Sequence, residues 1–71
     1  MSQVKIALFV NGKAQQVPKD ALIVELLEEL KLSPKMILVE HNNRALLRSE
    51  WDGIKLEHGD RLELIRVVAG G

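Results

Sequence analysis

One stretch of this chain has helical periodicity, and the rest reads as short strands joined by turns. Leu22, Ile23, Leu26, Leu27 and Leu30 recur at helical spacing, while Glu25, Glu28, Glu29 and Lys31 occupy the other side. Asp20 is placed to cap the start of this helix and Ser33-Pro34 to end it. Its charged side reads as a solvated face and its leucine stripe as the part laid on a sheet. A single helix can cover one face of a sheet but not both. That inequality governs what the rest of the chain can build.

Around the helix the pattern changes to period two. Val4, Ile6, Leu8 and Val10 alternate and share one face. Asn11-Gly12 then supplies the two φ > 0 positions of a tight hairpin turn, and the mostly polar Lys13–Val17 returns as an edge strand. After the helix, Met36–His41 is apolar enough to read as an interior strand. Asn42-Asn43 makes a second tight turn, and Arg44–Leu47 pairs back. Arg48–Gly53 reads as a short helical turn with Trp51 closing one end of the core. Ile54–Leu56 is briefly extended, His58-Gly59-Asp60 turns, and Arg61–Val68 is the last strand. This order predicts an α+β domain of ubiquitin-like β-grasp layout over residues 1–71, a mixed sheet with one main helix crossing one face. The last strand is expected to lie centrally beside the first, with a thin, flexible Gly-Gly tail at 68–71.

Composition narrows the function classes. Ten Lys and Arg balance ten Asp and Glu, so the basic surplus of a sequence-independent nucleic-acid binder is missing. No apolar run approaches the ~18 residues of a membrane span, and Ile6–Val10 leads into a turn rather than a cleavage site. A chain of 71 residues with no cysteine must be held by its packed core, which the 46% hydrophobic fraction can supply. The absence of cysteine fits a reducing compartment, and the expected location is cytoplasmic, with neither nucleic acid nor membrane as partner.

Candidates for catalysis are few. His41 and His58 have no cysteine to join them as metal ligands, Ser49 has no glycine-flanked elbow, and no phosphate-binding loop or dinucleotide fingerprint occurs. The expectation is a chain that is not an enzyme and holds no metal or cofactor. Its unusual reactive group is the carboxylate of Gly71, ionised at neutral pH with a pKa of ~3.3–3.7. Val68, Ala69 and Gly70 lead to it, and the two glycines are thin enough to pass a channel too narrow for a Cβ. An ordinary frayed terminus is the alternative. If Ile6, Leu8, Leu62 and Leu64 face the helix, then Phe9, Ile65 and Val67 point to the open face, where an apolar set marks an interface. A bulge returning Ile65 to the core is the other possibility. Ordering four tail residues in a partner costs roughly 4–8 kcal/mol. Most of the binding must therefore come from the folded body.

The Asn-Gly hairpin, the helix Val24-Glu25-Leu26-Leu27-Glu28-Glu29-Leu30, the segment Arg48-Ser49-Glu50-Trp51, the run Gly59-Asp60-Arg61-Leu62-Glu63-Leu64 and the ending Val68-Ala69-Gly70-Gly71 together resemble the ThiS family of bacterial sulfur carriers in thiamine biosynthesis. The resemblance covers essentially the whole chain. It implies that a ubiquitin-activating-type adenylyltransferase uses ATP to adenylate Gly71. Sulfur, coming from cysteine through a desulfurase, then replaces AMP to give a thiocarboxylate, and thiazole synthase takes that sulfur. Glu57-His58 and His41-Asn42-Asn43 depart from the family's usual turns. The related small subunit of molybdopterin synthase is an alternative, though its usual proline pair is missing from Arg66-Val67-Val68. A ubiquitin-like protein modifier is another.

Overall fold

The Asn-Gly hairpin forms as the sequence predicts. In the computed structural model, which describes residues 4–68, β1 (Lys5–Val10) and β2 (Lys13–Pro18) pair antiparallel in continuous register from Lys5↔Pro18 to Val10↔Lys13. Asn11 and Gly12 take φ of 50° and 83°, the left-handed pair that a two-residue hairpin needs. Leu8 is fully buried and Ile6 and Val10 pack against the core, but Val4 stands before the first paired residue and is exposed.

The helix α1 (Ile23–Glu29) is shorter than its apolar stripe. Asp20 does not cap it. That residue sits at φ 66° in the turn after β2, and the helix begins two residues later at Leu22, which has no side-chain acceptor. Glu25 supplies the polar contact instead, its Oε1 accepting the Leu22 N–H at 2.8 Å. Nor is Ser33-Pro34 the stop. Lys31 adopts φ 60°, and Leu32 N–H donates to the Leu27 carbonyl while Lys31 N–H donates to that of Glu28. These two bonds form a Schellman ending. Pro34 opens a 3₁₀ turn, Pro34–Met36, that delivers the chain to β3 (Ile37–His41).

The second asparagine turn, with φ of 51° and 70° at Asn42 and Asn43, joins β3 to β4 (Arg44–Leu46). A 3₁₀ helix, Arg48–Gly53, follows and buries Trp51. Its start repeats the device used by α1: Glu50 Oε1 accepts the Leu47 N–H at 2.8 Å. This bond comes first among the influences that leave the Glu50 carboxyl below its ordinary value, against an upward push from desolvation and with further help from Arg44.

The last strand, β5 (Arg61–Arg66), lies in the middle of a five-stranded sheet of order β2-β1-β5-β3-β4. It runs parallel to β1 and antiparallel to β3. One face of this sheet packs with Ile23, Leu26 and Leu27 of α1 and with Trp51 and Leu56 into a single cluster that includes Leu8, Val17, Ile37, Val39, Leu46, Leu62 and Leu64. Among the described residues no helix is long and apolar enough to cross a membrane.

Candidate functional site: the open sheet face and the end of the last strand

Strand β5 is held from both sides by asparagine side chains. Its pairing with β1 covers two register positions, Phe9↔Arg61 and Val10↔Leu62, because β1 turns away at Asn11. The Asn11 side chain continues the ladder beyond that point. Its backbone N–H donates to the Leu62 carbonyl at 2.9 Å, its Oδ1 accepts the Leu64 N–H at 2.8 Å, and its Nδ2 donates to the Leu64 carbonyl at 3.4 Å. The primary amide thus acts as one more peptide unit. On the other side Asn42 Oδ1 accepts the Arg61 N–H at 2.8 Å, and Asn42 N–H donates to the Arg61 carbonyl. Val67 N–H donates to the Met36 carbonyl at 2.7 Å, so the backbone is fastened to the sheet until just before Val68, which is 82% exposed. Ala69, Gly70 and Gly71, named above with Val68 as the tail and the reactive end, lie outside the described residues.

The start of β5 rests on a buried carboxylate. Asp60 is 7% exposed, and its Oδ2 accepts from the Glu57 N–H and from His41 Nε2, both at 2.9 Å, while its Oδ1 accepts from Asn42 Nδ2 at 3.2 Å. Burial pushes the Asp60 carboxyl up, but these bonds and the pull of the His41 ring outweigh it. The acid is left below its ordinary value of 3.8. A depressed carboxyl stabilises the fold above its unfolded-state pKa and loses that contribution as pH falls through the folded value. Stability is therefore expected to hold from neutrality down to about pH 4 and to decline below it. Asp60→Asn should cost about 1–3 kcal/mol at neutral pH and flatten that acid decline, as urea midpoints on either side of the window will show. Equal midpoints for the two proteins at neutral pH would exclude a stabilising role.

The histidines thus have structural partners. His41 holds Asp60, and His58 Nδ1 accepts the Ala7 N–H at 3.1 Å. Among the described residues no three His, Cys, Asp or Glu side chains gather where they could hold a metal ion.

The face without the helix carries Phe9, Ile65 and Val67, the three residues that the sequence led us to expect there as a docking set. Phe9 and Val67 are each 38% exposed and Ile65 is 46% exposed. No bulge returns Ile65 to the core, since it stands in regular register with Leu38. The register separates the three residues into two places. Phe9 lies at the start of β5, with the Arg61 guanidinium 5.3 Å from its ring centroid. Ile65 and Val67 lie at the far end with Leu38, which is 57% exposed, and Met36. Leu38 and Met36 escaped the sequence reading because β3 looked like a strand buried on both faces. In fact it alternates, with Ile37 and Val39 inward and Leu38 and Glu40 outward. Strict attention to its period would have found Leu38.

A mixed sheet in this strand order, crossed by one helix and with its last strand central and parallel to the first, defines a ubiquitin-like β-grasp protein. The ThiS family model matches residues 5–71. The crystal structure of the thiamine biosynthesis protein ThiS from Geobacter metallireducens superposes with a TM-score of 0.79 at 32% identity, covering 93% of this chain and all of that one. Relatives include the uncharacterized protein ycf40 of Trieres chinensis, 24% identical over 63 residues, 89% of this chain and 86% of that protein. A thiazole synthase of Paramagnetospirillum magneticum is 27% identical over 64 residues, 90% of this chain but 20% of that protein. The chain belongs to the ThiS family, the sulfur carriers of thiamine biosynthesis, whose small members are not themselves enzymes.

Proposed function

We propose that the chain carries sulfur as a thiocarboxylate on Gly71. The Gly71 carboxylate attacks the α-phosphate of ATP on a ubiquitin-activating-type adenylyltransferase, and pyrophosphate leaves. A sulfur nucleophile, supplied ultimately through a cysteine desulfurase, then adds to the acyl adenylate and expels AMP. The resulting thiocarboxylate gives its sulfur to thiazole synthase. Adenylation turns an unreactive carboxylate into an electrophile, and because the sulfur resides on the carrier's own backbone carbonyl, no cysteine is required in the chain. ATP belongs to the activating partner; the carrier itself needs no resident cofactor. A cytoplasmic setting, where ATP and reduced sulfur are both at hand, fits this chemistry.

The observation that carries the reading is the family match, which continues through Gly71. The geometry is consistent with it, since β5 is central and fixed on both edges, and the backbone stays fastened to the sheet as far as Val67. A thiazole synthase in which a stretch similar to this chain forms about a fifth of the polypeptide supports thiazole synthase as the sulfur acceptor.

Intact mass tests the proposal. Incubated with the cognate adenylyltransferase, ATP and a sulfur donor, the protein is expected to gain the mass of one oxygen-for-sulfur exchange. Cleavage after Arg66 should find that gain in the peptide Val67–Gly71. An unchanged mass, with an enzyme that releases pyrophosphate normally on another carrier, would rule out sulfur carriage. Lysine conjugates would point instead to a protein modifier.

A further inference from the structure

On the open face the register sets two carboxylates side by side. Glu40 of β3 and Glu63 of β5 are direct cross-strand partners. Each has the opposite parity to its buried neighbours Val39, Leu62 and Leu64, so both stand on the side away from the helix. Side chains so placed have Cβ atoms ~4.5–5.5 Å apart, and like charges there destabilise a sheet. Among the described residues the ion pairs are His41–Asp60 and Arg44–Glu50, and neither Glu40 nor Glu63 has a cationic partner. The nearest cations in sequence and register are engaged elsewhere. Arg61, two residues before Glu63, lies over Phe9, and Arg44 donates to Glu50. Ala45 lies beside Glu40, and along the two strands the pair is flanked by the apolar Leu38–Ile65 pair on one side and by Asn42 and Arg61 on the other.

The isolated domain gains nothing from this arrangement, and a partner that brings a cation does. The guanidinium fork of an Arg has enough donors to bridge two adjacent carboxylates. The enzyme that adenylates Gly71 must concentrate positive charge to hold ATP, and an acidic pair on β5, the strand that leads to Gly71, is drawn toward such a field. The chain's formal net charge is zero, so the attraction has to be local. We propose that the Glu40–Glu63 pair is the docking point for a basic side chain of the adenylating partner, with Leu38, Ile65 and Val67 packing on apolar groups around it. This rests on the reading that Gly71 is activated by such an enzyme.

The test is the double variant Glu40→Gln/Glu63→Gln, assayed by carrier-dependent ATP–pyrophosphate exchange and by thermal melting. Relief of the like-charge contact should raise Tm by ~1–5 °C. Loss of the docking point should raise KM for the carrier ~10-fold at unchanged kcat. The wild-type KM should also climb more steeply with salt than that of the variant. Glu28→Gln, on the solvent side of α1, serves as the control and should change neither constant. A double variant whose KM equals or falls below that of the wild type overturns the docking role while leaving sulfur carriage intact. A wild-type chain that supports no exchange at all overturns both.

Discussion

Gly70→Trp is expected to abolish adenylation of Gly71 while leaving the fold as stable as before. The indole is the largest side chain available, with some 150–250 Å² of surface to bury. It would stand one residue from the carboxylate that has to reach the α-phosphate of ATP. Misplacing a reacting group by an ångström can cost ~100-fold in rate, and a channel as narrow as the two terminal glycines lead us to expect has no room for the ring. The loss in kcat/KM should therefore exceed ~100-fold. The described core draws its residues from Leu8 to Leu64, none of them at this end, so the change in stability should remain within about 0.5 kcal/mol. Pyrophosphate exchange and a melting curve on the same sample check both halves. Exchange at the wild-type rate would disprove the narrow-channel argument. A fall in Tm would assign Gly70 a part in the fold that the core does not show.

The parts of this molecule that local rules govern were open to a reading of the sequence alone. Asn11-Gly12 and Asn42-Asn43 announce tight turns because few residues other than Gly and Asn tolerate φ > 0, and all four positions do have positive φ. The alternation in β1 and β5 placed Leu8, Leu62 and Leu64 inside, and the presence of one helix implied a free face. Long-range register was a different matter. That Asn11 would extend β5, that Asp60 would gather His41 and Asn42, and that Glu40 would face Glu63 all depend on partners 18 or more residues distant or on the offset between β3 and β5. Nothing in a local window encodes that offset. The ends of α1 were misjudged for a related reason. Lys31 takes a left-handed conformation usually given to glycine, and Asp20 spends its own positive φ on the preceding turn. Both therefore looked like ordinary members of the helix and its cap.

Leu27→Ala should have the opposite profile to Gly70→Trp. Leu27 is fully buried on the face of α1 that meets the sheet, and its carbonyl also closes the helix by accepting the Leu32 N–H at 2.9 Å. Truncation leaves that backbone bond available but removes the isobutyl group, at a cost of about 2–5 kcal/mol. A domain of 71 residues has roughly 4–10 kcal/mol of stability in all, so the variant loses a large share of it and should melt more than ~10 °C lower. Below its own transition, activation per folded molecule should be close to normal, because Leu27 lies on the far side of the sheet from Phe9, Leu38 and Ile65. Urea denaturation with exchange measured at low temperature separates the two quantities. If kcat/KM fell in step with neither Tm nor the folded fraction, the sheet would be transmitting strain from helix to docking face. The separation between a core that holds β5 and an end proposed to do the chemistry would then be wrong.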